Sequence, residues 1–163
     1  MLKDLLEKNR KSILKSWSDL IFKTYAPETA GFLAKKTNEF ANPVGASVIH
    51  STEGIFEWIV NGAPIDKRAE VESLLDDIVR IRAVQQFSAS EAVSFVFLLK
   101  KAVRDTLSKD IRNLNLVDEL YELDSTIDQL ALTAFSIYMK CREKVFEIRA
   151  TELRNRTSRI LER

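Results

Sequence analysis

Two residues of the 163-residue chain invite a search for covalent or ligand chemistry: its single cysteine, Cys141, and its single histidine, His50. A thiol beside an imidazole is the usual recipe for a nucleophile. Cys141, however, falls on the apolar stripe of a helical segment, where a thiol ordinarily behaves as a small inert hydrophobe. One Cys and one His are too few for the ligand sets of a zinc site. His50, amid Val48, Ile49 and Thr52, is left with two readings. It faces inward as a haem ligand, or it is an ordinary half-exposed helical residue. The paired acids Asp76-Asp77 and Asp118-Glu119 are adjacent in sequence, so a helix splays them apart onto solvated faces. No glycine-rich phosphate loop is present. No enzyme and no cofactor are expected, with haem through His50 as the alternative.

The densest mixed constellation runs from Arg80 to Ser88, where one helix ends and the next begins. Arg80 and Arg82 suit a helix C-terminus electrostatically. Alternatively, Arg82 and Gln85 turn toward the interior or an interface, where they bind a carboxylate, backbone carbonyls or a partner helix. Arg80, Arg82, Gln85 and Ser88, with Asn42 at another helix start, are therefore the candidate ligand or interface residues. A helix-turn-helix reading of this corner meets a net charge of only +1, which gives no electrostatic footprint for DNA.

These residues are carried by helices. The segment from about Leu2 to Lys23 places Leu2, Leu6, Ile13, Trp17 and Leu20 near a 3.6-residue period. A short helix from about Glu28 to Lys36 follows Pro27, and Thr37 to Pro43 is expected as loop. Asn42-Pro43 is a helix start: Asn caps and Pro fits the first turn. The third helix carries Val44, Val48, Ile55, Phe56 and Ile59 and stops near Asn61-Gly62. The fourth spans about Asp66 to Val84, with Val71, Leu74, Leu75, Ile78 and Ile81 as its apolar face. Ser88 to Glu91 has capping-box spacing. The fifth helix, apolar nearly all round from Ala92 to Leu99, reads as the central buried helix, with a break expected near Asp110 to Asn115.

From Leu116 onward there is neither Gly nor Pro. Leu116, Leu120, Leu123, Ile127, Leu130, Ala134, Tyr138, Cys141, Val145 and Ile148 continue at three- and four-residue steps. A helix of that length extends roughly 70 Å at 1.5 Å per residue, against a radius of gyration of about 15 Å for a compact domain of this size. Residues 142–163 are therefore expected to project from a body formed by residues 1–141, and the projecting stripe wants a partner helix. The simplest partner is a second copy. Acidic residues crowd the start of this segment and arginines its end, which favours one continuous helix.

The composition agrees. Four Gly and three Pro are too few for the turns of an all-β fold. An apolar content of 45% excludes disorder, and one Cys excludes an internal disulfide framework. No run approaches the ~18 apolar residues of a membrane span, and no signal peptide opens the chain, so a cytoplasmic protein is expected, with no nucleic acid or membrane partner.

Three stretches together resemble the RsbRD N-terminal domain family, named for the RsbT co-antagonists of the stressosome. They are Phe40 to Gly45 (FANPVG), Ile78 to Val93 (IVRIRAVQQFSASEAV) and its continuation Phe95 to Lys101 (FVFLLKK). The opening helix with Trp17 and the aromatic Tyr25 also fit. The resemblance covers about residues 5 to 145 and implies a globin-like helical fold without haem, dimerisation, and a last helix that runs out as a linker to a STAS output domain. Asn42, Pro43, Arg80, Arg82, Gln85 and Ser88 match its motifs, and it offers no catalytic residues. No STAS or kinase domain follows Arg163, so the chain is expected to be either a stand-alone member or a piece of a longer one. The expectation is an all-α, globin-like bundle of about six helices with a projecting last helix. Its expected role is a non-enzymatic, homodimeric sensory module acting on a signalling-type protein partner. The alternatives are a small-ligand or haem sensor and an accessory subunit of a larger complex.

Overall fold

A computed structural model describes residues 1–35 and 40–163, so the expectations for Lys36 to Glu39 lie outside the described residues. Among the described residues all regular structure is helical. The elements are α1 (Leu2–Lys8), α2 (Arg10–Phe22), α3 (Pro27–Leu33), α4 (Pro43–Val60), α5 (Arg68–Val84), α6 (Ala89–Leu114) and α7 (Val117–Leu161), with a 3-10 turn at Ile65–Lys67 before α5.

The first predicted helix is two. The backbone leaves helical geometry at Asn9, whose side-chain amide donates back to the Leu5 carbonyl at 2.9 Å. Leu2, Leu6, Ile13 and Trp17 all reach the core despite the break. α4 starts and stops where its caps require. The Asn42 side chain accepts from the Gly45 amide, and Gly62 takes φ +85° just past the end.

α6 packs extensively on α7 and on α2, while α5 bridges α4 and α7. Trp17, fully buried on α2, donates its indole N–H to the Phe95 carbonyl of α6 at 2.7 Å. α6 is the central helix that its apolar run suggests, though it is not covered all round. Ala92, Phe95, Val96 and Leu99 are buried, but Phe97 is exposed beside Lys100. The expected break near Asp110 to Asn115 is a kink at Leu107 and an end at Asn115, which takes φ 51°. Polar residues alone do not end a helix, and Ile111 still packs against the core; the chain leaves the helix only where a residue adopts the left-handed conformation.

α7 is one helix of 45 residues, about 67 Å long. Its buried residues run from Leu123 to Tyr138, and none beyond Tyr138 is buried.

Candidate functional site

The α5–α6 corner carries the unusual chemistry. The buried residues Val71, Leu75 and Ile78 are spaced by four and three, and the next step of four lands on Arg82. Arg82 is therefore on the core stripe, and its side chain has no solvent exposure. α5 ends in a Schellman arrangement, with Gln86 at φ 66° and the Phe87 amide donating to the Arg82 carbonyl at 3.1 Å. In that motif the residue at Phe87's place touches the one at Arg82's place. Here the contact is a ring under a guanidinium, 5.0 Å from its centroid.

Two more rings complete the cage: Tyr25 at 5.2 Å and Phe95 at 5.6 Å. Tyr25 and Phe87 also meet edge to face. The guanidinium donates one N–H to the Glu91 carbonyl at 2.8 Å and another to the Thr24 hydroxyl at 2.8 Å. Its Nε has no hydrogen-bond partner among the described residues. Burial pulls Arg82 below the usual arginine range, and Tyr25 and Glu91 oppose that pull. Arg82 thus clamps three elements, the α2–α3 turn, the end of α5 and the first turn of α6, through neutral oxygens and aromatic faces.

The corner also reaches α7. The Tyr138 hydroxyl donates to the Phe87 carbonyl at 2.7 Å, and Arg142 reaches toward the Ala83 carbonyl at 3.4 Å. Tyr138 is the last buried residue of α7. The caged cation therefore sits beside the point at which α7 leaves the bundle.

The other candidates are placed differently. Arg80 is exposed and pairs with Asp76 and Asp77, both at 3.6 Å, so it is the helix-end charge that Arg82 is not. Gln85 is exposed, which corrects the reading that it turns inward with Arg82; it is the C-cap of α5, one step past the buried stripe. Ser88 is exposed and caps α6 by accepting from the Glu91 amide at 3.3 Å. Asn42 is buried and joins α3 to α4: its Nδ2 faces the carbonyls of Phe32, Leu33 and Lys35 at 3.0–3.3 Å. Gly45 is required there, since a Cβ would stand 2.4 Å from that Nδ2 and 2.6 Å from the Leu33 carbonyl.

His50 is exposed on α4, and the buried residues of its turn are Ser51 and Thr52. The inward-facing reading is corrected accordingly. Cys141 is half-buried on α7. Burial and the nearby Asp76 push its thiol up, against Arg80 and Lys144, so its charged neighbours are α5 and α7 side chains.

The RsbT co-antagonist protein rsbRD N-terminal domain family matches residues 11–153. An uncharacterized protein of Archaeoglobus fulgidus is 25% identical over 145 residues, covering 88% of this chain and 84% of that protein. No solved structure matches. The family match takes in the whole of the Arg82 corner and most of α7, and the chain belongs to the RsbT co-antagonist protein rsbRD N-terminal domain family.

Proposed function

We propose that this protein is a cytoplasmic, non-enzymatic signalling module that self-associates and passes a packing change at the Arg82 corner through α7 to a protein partner. The observation that carries this reading is the line from Arg82 through Phe87 to Tyr138. A buried cation held by rings and neutral oxygens ties Thr24, Phe87 and Glu91 to one arrangement, so a change at any of them is felt at the others. Any shift of Phe87 moves the acceptor of the last buried residue of α7. Membership of a signalling family supports the role. Among the described residues no helix is long and apolar enough to cross a membrane. The exposed His50 gives no support to a haem-based sensor.

Cys141, three residues beyond Tyr138, is a built-in reporter. Tyr138→Phe removes only the hydroxyl. Alkylation of Cys141 in the full chain is expected to run several-fold faster in Tyr138→Phe than in the parent, with backbone exchange rising in the same stretch of α7. Unchanged alkylation and exchange in Tyr138→Phe would disconnect the corner from α7. Light scattering at micromolar concentration tests self-association, and a monomer removes that half of the proposal.

A further inference from the structure

α1 is lightly fastened to the rest of the molecule. Leu2 and Leu6, one turn apart, are its only buried residues. They line one shallow groove of about 390 Å³ together with Ile59 and Val60 at the end of α4 and Leu123 near the start of α7. A hydrogen bond from the Leu2 amide to the Glu119 carboxylate, 2.7 Å long, ties α1 to the first turn of α7, and that carboxylate is half-exposed. The core is thinnest under this cover. Ile59 and Leu123 keep 9 and 8% of their surface exposed, whereas Ile55 and Ile127, one turn deeper on the same helices, keep 1 and 0%. A helix of seven residues has no stability of its own, so α1 depends on this seat or on continuity with α2.

The joint is sharply placed. Arg10 pairs with Glu57 of α4, and its guanidinium stands 5.8 Å from the Phe56 ring centroid, so α2 is pinned from its first residue. Directly before it, Asn9 holds φ −102° and ψ 14°, outside helical geometry, and its side-chain amide bonds the Leu5 carbonyl. No Gly or Pro stands before Pro27, so the chain is able to run from α1 into α2 as one helix once Asn9 turns helical. We infer that α1 is a hinged strap over the groove. Closed, Asn9 is bent and Leu2 and Leu6 cover Ile59, Val60 and Leu123. Open, Asn9 is helical, α1 extends α2 by about 10 Å, and the groove is bare.

Closure is favoured by the burial of two leucines and the bond to Glu119, and it is opposed by one non-helical residue. An attachment that small opens far more often than the whole fold does. The consequence falls on α7. The closed strap holds its first turns against the end of α4. With the strap open, those turns keep their ties to α6, the Arg104–Asp124 and Lys100–Asp128 pairs, and lose the one to α1. The packed stretch of α7 is thus fastened at its start by a releasable strap, at the opposite end from Tyr138, and the strap does not depend on the Arg82 corner.

The test uses full-length chains carrying Cys141→Ser. Val60→Cys places a thiol in the groove, and Val103→Cys, in a separate chain, places one in the buried face of α6. Alkylation is followed at increasing urea below the unfolding transition. Val60→Cys is expected to react at least ten-fold faster than Val103→Cys, with a shallow urea dependence, because a local opening exposes little surface. Asn9→Ala and Asn9→Gly both remove the side-chain bond, but only alanine favours the continuous helix. Alkylation at Val60→Cys is therefore expected to be about five-fold faster with Asn9→Ala than with Asn9→Gly, the ratio given by their roughly 1 kcal/mol difference in helix propensity. Amide exchange from Val117 to Leu123 should rise in the same order. Equal rates and urea slopes for the two thiols would show that α1 leaves only when the whole fold opens, and would overturn the strap. Equal rates in Asn9→Ala and Asn9→Gly would overturn the hinge at Asn9.

Discussion

Replacing Arg82 separates shape from charge. Arg82→Met keeps a long unbranched stem and removes the cation. The two hydrogen bonds lost come from a charged donor and are worth about 1.5–3 kcal/mol each, and the three ring contacts about 1 kcal/mol each. Against them stand the desolvation of a buried ion, several kcal/mol, and the unpartnered Nε, about 1–3 kcal/mol. The oxygens left behind are not orphaned. The Thr24 hydroxyl still donates to the Ile21 carbonyl at 2.6 Å, and the Glu91 carbonyl still accepts from Ser94 at 2.9 Å. The opposing contributions nearly cancel, so Arg82→Met is expected to lie within about 1.5 kcal/mol of the parent in urea unfolding at unchanged m.

Arg82→Ala instead leaves a void among three rings and is expected to lose about 2–5 kcal/mol. Arg82→Lys keeps the charge, but one ammonium replaces the fork that bonds Glu91 and Thr24 together, so it is expected to be less stable than Arg82→Met. The order Met, then Lys, is the sharp part. Loss of more than about 3 kcal/mol in Arg82→Met, the cost of stranding a buried ionic partner, or a lysine variant more stable than the methionine one, would show that an anion faces this guanidinium and would refute the neutral-cage account. Alkylation of Cys141 in the folded Met variant then asks whether the cation's position, rather than the fold, sets the root of α7.

The remaining predictions concern the joints of the fold. Gly45→Ala is expected to cost at least about 2 kcal/mol despite the helix propensity gained, because its Cβ meets a backbone carbonyl and a bonded amide, whereas Gly54→Ala meets only the movable end of Leu74 and is expected to be near neutral; chemical unfolding compares them. Gln86→Gly relieves a left-handed residue and is expected to stabilise by about 1 kcal/mol, read as a higher urea midpoint. Ser51→Ala removes a buried hydroxyl that has no partner among the described residues and is expected to be neutral or stabilising, read as an unchanged or raised Tm. Because Cys141 is raised in the folded chain, its contribution to stability is present below the unfolded thiol's pKa and is lost as pH rises above about 8.5. Stability measured from pH 7.5 to 10 should fall less in Cys141→Ser than in the parent.

Much of the fold was readable because its punctuation is chemical. Asn42-Pro43, Asn61-Gly62 and Ser88 each carry a side chain or backbone freedom that a helix end needs, and each marks an end in the structure. The long last helix was readable because nothing after Leu116 breaks one. Two of the three misses share a cause: at Leu107 and Gln86 the chain turns at residues that are not turn formers by type, whereas Asn9 is one whose signal is hidden inside a continuous apolar period. Asn9 interrupts the first helix by bonding its own preceding turn. Leu107 kinks α6 while fully buried. Gln86 is left-handed without being Gly or Asn, and tertiary packing of Phe87 against Arg82 and Tyr25 accompanies it.

The site was half-legible for a related reason. Composition treats arginine as a surface residue, so Arg80 and Arg82 look alike. Only the apolar stripe separates them, and a stripe built on Leu74 and Ile81 is rotated away from the buried one. Built on Val71, Leu75, Ile78 and Val79, it lands on Arg82 and leaves Arg80 outside. The aromatic partners are scattered over Tyr25, Phe87 and Phe95, which no local spacing joins. A buried cation without an ion pair is a specificity device more than a stabilising one. It accepts only a neighbourhood of rings and carbonyls, and here that neighbourhood is shared by the α2–α3 turn, α5 and α6. The same physics that makes Arg82→Met tolerable for stability makes arginine informative for position, since methionine asks for no particular arrangement of Thr24, Glu91 and the three rings. If α7 is steered from this corner, the arginine is retained for where it holds Phe87, and the Met variant should fold well while losing control of Tyr138 and Cys141.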